Sequence, residues 1–214
     1  MHSCPTHVTG TGDLRVLLGN HELLNVFGTF DYVDSSSDML RVEAGTDDDP
    51  WSNRRASFAP GGDLARSIAD NPVVLVVDDT LFVHAGLHTA HVRQGLDAIN
   101  AMTRQYLLGD ITLHTDVQAL LMVQSSPLWT RTYGDAPTDA DCQEIADILA
   151  STGTARMVVG HSIQSRGINA ACNGTVWRID TGMSLAYQLM RGPTPVQVLE
   201  IVNSTTAVIT APIF

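Results

Sequence analysis

Three short words in the chain bring metal-binding side chains directly behind apolar runs. Val16-Leu17-Leu18 leads into Gly19-Asn20-His21-Glu22, Leu81-Phe82-Val83 into His84-Ala85-Gly86, and Met157-Val158-Val159 into Gly160-His161. A buried strand that stops at His or Asn beside Gly delivers a polar group to a sheet rim and leaves room close to the backbone. Imidazole nitrogens and an amide carbonyl suit a borderline first-row cation such as Mn, Fe or Zn better than Ca or Mg. One His after a strand is ordinarily a structural residue; three such ends in one chain point to a shared cation at Asn20, His84 and His161. The other histidines, His2, His7, His88, His91 and His114, lack that context and read as surface residues.

Elements that could position these words alternate between short apolar runs and helix-period segments, the pattern of an α/β layered domain. Strands are expected at Leu14 to Leu18, Val73 to Val77, Leu81 to Val83, Met157 to Val159, Thr175 to Ile179 and Val196 to Val202. Helices are expected at Leu23 to Phe27, Gly62 to Ala69, His88 to Leu107, Val117 to Val123 and Ala140 to Ala150. The last should start at a Thr138 or Asp139 cap and put Cys142, Ile145, Ala146 and Leu149 on one face. Asn173-Gly174 predicts a tight hairpin. Between about Asp31 and Gly62, Ser, Asp, Pro and Gly accumulate, as in a long excursion from the core whose Asp47-Asp48-Asp49-Pro50 run is a solvated turn.

Composition narrows the class. The chain has 214 residues, 44% hydrophobic and 16% charged, which is globular usage. Twelve basic against twenty-three acidic residues give a net charge of -11, and no Lys/Arg cluster could track a phosphate backbone, so nucleic acid is not an expected partner. No apolar run reaches the roughly 18 residues that span a bilayer, and the polar Met1 to Gly12 stretch does not resemble a signal sequence, making the cytoplasm the default compartment. Cys4, Cys142 and Cys172 are odd in number and widely spaced, so neither a disulfide framework nor a zinc knot is expected. The sequons at Asn173 and Asn203 read as turn chemistry.

In their order, Gly19-Asn20-His21-Glu22, Phe82-Val83-His84-Ala85-Gly86-Leu87 and Val158-Val159-Gly160-His161 resemble the calcineurin-like metallophosphoesterases, specifically the phosphoprotein phosphatase family and its bacterial-like Shewanella branch. Ser126-Pro127-Leu128-Trp129-Thr130-Arg131 is similar to the family's phosphate-binding Arg segment, and Arg178-Ile179-Asp180-Thr181-Gly182-Met183 to the strand and turn after the last metal His. The resemblance runs from Leu14 to about Val202. It implies a two-sheet β-sandwich flanked by helices, with Asn20, His84 and His161 as metal ligands. His21 would be the general acid toward the departing alkoxide, and Arg131 the phosphoryl clamp. In the family two metals about 3.5 to 4 Å apart activate a water for in-line attack on phosphorus. Substrates implied are a phosphoprotein, usually at Ser or Thr, or a small phosphomonoester.

Two of the family's words, Gly-Asp-x-His-Gly and Gly-Asp-x-x-Asp-Arg-Gly, do not occur in the chain. They supply the first metal's ligands, the bridging Asp, the Asp that orients the acid His and a second Arg. The expectation is therefore residues 1–13 as a non-family segment and residues 14–214 as a partial phosphoesterase domain lacking the first two βα units, through a truncated gene model, a splice form or a degenerate paralogue. At most one metal, weak turnover and a partner chain over an exposed sheet edge follow from that expectation. A pseudophosphatase acting as a binding module is the alternative. Gly160-His161-Ser162-Ile163-Gln164 imitates a serine-hydrolase elbow, but no histidine follows His161 to serve as its base.

Overall fold

The computed structural model describes residues 12–33, 51–112, 117 and 120–210. His2, Cys4, His7, Asp47 to Pro50 and His114 lie outside them, as does part of the Val117 to Val123 helix. Among the described residues no helix is long and apolar enough to cross a membrane.

Helices α1 (Asn20–Val26), α2 (Ser52–Phe58) and α3 (Asp63–Ile68) precede the hairpin of β1 (Val74–Val77) and β2 (Thr80–Val83). Then come α4 (Thr89–Gln94), α5 (Leu96–Leu108), α6 (Asp139–Thr152), β3 (Arg156–Val159), β4 (Asn169–Ala171) and β5 (Val176–Arg178). The described part closes with α7 (Leu185–Arg191), β6 (Gln197–Val202) and β7 (Thr205–Thr210). One mixed sheet runs β1-β2-β3-β5-β4, and β6-β7 form a second, two-stranded sheet. The parallel pairs β2-β3 and β3-β5 sit at its centre, where β3 is buried along its whole length. Side chains alternate as strand geometry requires. Leu81, Val83, Met157, Val159 and Val176 join Ile99, Leu107, Ile145 and Ile148 of the helices in one core. Phe82 and Val158 face the other way and line an apolar cavity with Val198, Leu199 and Ile201 of β6.

Local chemistry explains most boundaries. Thr138 caps α6: its Oγ1 accepts from Asp141 N, while the Asp141 carboxylate accepts from Thr138 N at 2.7 Å. Along α6 the buried face is Ile145, Ile148 and Leu149, whereas Ala146 is exposed. The helix expected over His88 to Leu107 is two helices, because Gly95 takes φ +96, a left-handed value that breaks the hydrogen-bond ladder. Asn100 of α5 covers the outer edge of β1, its Oδ1 accepting from Val73 N and Val74 N and its Nδ2 donating to Val74 O.

Leu14 to Leu18 is not a strand: among the described residues its only backbone bond of this kind is Leu18 N to Pro72 O, and Leu14 is 66% exposed. Alternating apolar residues make a strand only where a neighbour supplies a ladder. The cysteine expectation is also overturned, since Cys142 of α6 and Cys172 in the β4-β5 turn form a disulfide. Thirty residues separate them in the chain, but α6 and the hairpin meet at the sheet, and spacing alone could not report that. Asn173-Gly174 does form the expected turn, with positive φ at Cys172, Asn173 and Gly174.

At its far end the β6-β7 turn is fastened to the β1-β2 turn by Arg156, 8% exposed. Its Nη1 donates to Asp79 Oδ1 and Thr80 Oγ1 at 2.8 and 2.9 Å, and its Nη2 to Ser204 O at 2.7 Å. Ser204 Oγ closes the ring on Asp79 Oδ2.

Reducing the Cys142–Cys172 bridge should lower unfolding stability by about 3.6 kcal/mol, the chain-entropy effect of opening a loop of this size. Urea denaturation with and without dithiothreitol measures it, and Cys142→Ser should reproduce the reduced curve.

Candidate active site

Asn20 enters the site from a helix start, not from a strand end. Glu22, in the first turn of α1, reaches back so that its Oε2 accepts from Gly19 N at 2.9 Å, fixing the helix origin one residue before Asn20. Asn20 is thereby buried at 4% exposure with its side chain turned inward. His84 follows β2 and His161 follows β3, and Gly160 N donates to His84 O at 2.8 Å, tying the two strand ends together. His161 sits at φ +63, a left-handed value that costs a non-glycine residue on the order of 1 kcal/mol and turns the chain sharply out of β3.

The three side chains meet. His84 Nε2 donates to Asn20 Oδ1 at 2.8 Å and lies 3.2 Å from His161 Nδ1. One N–H proton is therefore shared among three electron-pair donors, and His161 Nδ1 cannot add a second without N–H meeting N–H. His161 Nε2, buried against the Trp129 backbone, lacks a partner of full hydrogen-bond geometry. Burial, with His161, His21 and Arg131 nearby, lowers the His84 pKa to about 4, and burial beside Arg131 also lowers that of His161. Both rings are thus neutral at pH 7, the form in which imidazole binds a metal. Two neutral imidazoles and an amide oxygen fit a first-row divalent cation. Among the described residues no three His, Cys, Asp or Glu side chains gather as a metal-holding group. Glu22 and Asp180, the carboxylates along the same cleft, hold the amides of Gly19 and Gly182.

Close packing sets the trio's geometry. A Cβ on Gly19 would lie 3.0 Å from His84 Nδ1 and from Glu22 Oε2, so any larger residue here would press on the His84 ring and on the cap. Around the trio opens a cleft of about 690 Å³, lined also by His21, Tyr32, Arg131 and Met183. His21 is exposed there, its ring 4.9 Å from Tyr32. Arg131 Nη1 donates to His161 O and Ser162 Oγ at 3.3 and 3.1 Å, and Ser162 Oγ donates to Asp135 Oδ1 at 2.7 Å. Ser162 is consequently a brace for Arg131, with its proton committed to a carboxylate.

All five residues singled out from the sequence, Asn20, His21, His84, Arg131 and His161, line this one cleft. Sequence reasoning passed over Ser162 as a brace; its place directly after His161 was the available signal. It also misplaced His88 and His91, which are partly buried. His88 N donates to His91 Nδ1 at 2.9 Å, and His88 bonds Glu144 and Thr130. The α6 carboxylate that draws them inward is over 50 residues away in the chain.

No protein-family profile matches the chain. Its fold is shared with crystal structures of cold-active protein tyrosine phosphatase, one from a psychrophilic Shewanella species, which superpose with TM-scores of 0.70 and 0.69. They are 20 and 21% identical and cover 93% of this chain and 59% of theirs. In sequence, Shewanella-like protein phosphatase 2 of Arabidopsis thaliana is 30% identical over 211 residues, 81% of this chain. Shewanella-like protein phosphatase 1 of Plasmodium berghei is 27% identical over 79% of it. An uncharacterised protein of Acanthamoeba polyphaga mimivirus is 30% identical, covering 90% of this chain and 89% of its own length. The chain is thus similar in sequence to Shewanella-like protein phosphatases. It spans about half the length of the plant and Plasmodium phosphatases, 54 and 47%.

The neutral histidines make the fold acid-sensitive. The unfolded chain takes up protons near the ordinary histidine value of 6.5, whereas folded His84 resists until about 4; His91, lowered to about 4 by burial, acts alike. A group with a depressed cationic pKa stabilises the fold at high pH and loses that contribution as pH falls below 6.5. In chelator, stability should drop by about 2 kcal/mol from His84 alone between pH 7 and pH 5. Urea midpoints at the two pH values measure this, and His84→Gln should lose less.

Proposed function

We propose that the chain is a metal-dependent phosphomonoesterase acting on a phosphoprotein, of serine/threonine type, or on a small phosphomonoester. The observation that carries this reading is the convergence of Asn20 Oδ1, His84 Nε2 and His161 Nδ1 around one proton, in the cleft that holds Arg131. Similarity to Shewanella-like protein phosphatases supports a phosphatase. Asn20, His84 and His161 would hold a Mn, Fe or Zn ion. When bound, such an ion supplies Lewis acidity toward a phosphoryl oxygen and an acidified water. Arg131 binds phosphoryl oxygens through its planar fork, braced from behind by Ser162 and Asp135. His21, exposed at the rim, delivers a proton to the leaving oxygen.

A second reading has its own observation. The donor set of Asn20, His84 and His161 contains no carboxylate, which leaves a dication short of ligand charge. Weak metal binding and slow turnover follow, and at the limit a binding module that retains phosphate without hydrolysing its ester.

Assay of p-nitrophenyl phosphate with manganese separates these. A phosphoesterase gives metal-dependent hydrolysis that His84→Ala abolishes and His21→Gln slows by about 100-fold. A binding module retains orthophosphate in calorimetry with no turnover. Equal hydrolysis by the parent and His84→Ala would sink the metal-site reading.

A further inference from the structure

Behind the cleft lies a second polar cluster, centred on Glu144 of α6 and apart from the candidate ligands. Four donors converge on its two oxygens. Oε1 accepts from Thr89 N at 2.8 Å and Thr89 Oγ1 at 3.1 Å. Oε2 meets His88 Nδ1 at 2.9 Å and accepts from Tyr133 Oη at 3.1 Å. His88 Nε2 continues to Thr130 Oγ1 at 3.1 Å, and Thr130 Oγ1 donates to Thr132 Oγ1 at 3.0 Å. The segments gathered here are the two that serve the cleft. Thr130 and Tyr133 bracket Arg131, and His88 and Thr89 follow His84 on the run leaving β2.

We propose that Glu144 is a positioning residue, a single carboxylate that locks the Arg131 segment against the His84 segment and so sets where Arg131 meets the phosphoryl group. This rests on the phosphoesterase reading for what Arg131 binds. The chemistry asks for a carboxylate and no other group. Four N–H or O–H donors on two oxygens leave no place for an amide, whose NH2 would face a donor and orphan it. Burial pulls the Glu144 pKa up, but bonds from Thr89 and His88 outweigh it and hold it at about 2. The anchor is therefore ionised at any assay pH. Tyr133, wholly buried, has its phenol pushed upward by burial and by the Glu144 charge, and stays a donor. The two segments also touch directly: Ala85 N donates to Pro127 O at 2.9 Å, and a Cβ on Gly86 would lie 2.8 Å from the Tyr133 ring. A shift of Tyr133 is thereby felt next to His84.

A double-mutant cycle tests this, with orthophosphate affinity measured by calorimetry in manganese buffer, a readout that needs no turnover. Glu144→Gln should weaken binding by about ten-fold when Arg131 is present and by less than about two-fold in an Arg131→Ala background, because the loss acts through Arg131. Equal losses in the two backgrounds, or none in a folded Glu144→Gln, would overturn the proposal while leaving the phosphoesterase reading intact. Should Glu144→Gln fail to fold, Tyr133→Phe, which removes one donor, runs the same cycle with an expected loss of about three-fold. A parent chain that binds no orthophosphate sinks both readings.

Discussion

One proton among three electron pairs is the constraint around which the cleft is arranged. His84 Nε2 can satisfy Asn20 Oδ1 or His161 Nδ1 well, and 2.8 and 3.2 Å are the compromise. Such a knot persists only because rigid elements hold each member. Asn20 is seated by the α1 cap, His84 and His161 by adjacent parallel strands, and the backbones of the two strand ends are bonded to each other. Glycine at position 19 lets the ring approach the helix start. Unmatched lone pairs kept together in this way are what the proposed cation would satisfy.

Much of this was legible in the chain and some was not, for reasons that differ by residue. The strands carrying His84 and His161 announced themselves because a buried central strand is an unbroken apolar run bounded by glycine. The first word was misjudged at Leu14 to Leu18 because alternating apolar residues look alike whether or not a neighbour completes the ladder. Glu22 three residues after Gly19 was the helix-start signal that could have corrected it. Asn20 and His21 nevertheless lie in one cleft with His84 and His161, since chemistry-bearing types were recognised independently of the element that holds them. Glu144, His88 and Tyr133 were invisible: their meaning comes from contacts across 11 to 56 residues, and pattern reading sees only near neighbours. The Cys142–Cys172 bond was hidden for the same reason.

Helix α6 ties these observations together. It carries the buried Ile145, Ile148 and Leu149 that pack the sheet, the cysteine that binds the β4-β5 turn, and the carboxylate that gathers the loops around the cleft. A conventional cap at Thr138 fixes where it starts, and hence which residues face each of these tasks. Placement of a helix by two or three hydrogen bonds at its origin thus reaches groups far from that origin.

The Arg156 ring has a consequence of another kind. A two-stranded hairpin alone is marginal in water, and β6-β7 pairs with no strand of the main sheet among the described residues. Its order is borrowed, at one end from the guanidinium and at the other from Gln197, whose Oε1 accepts from Ile168 N at 2.7 Å. Few hydrogen bonds tie the hairpin to the rest of the described chain, so its amide hydrogens should exchange with solvent on a faster clock than those of the fully buried β3.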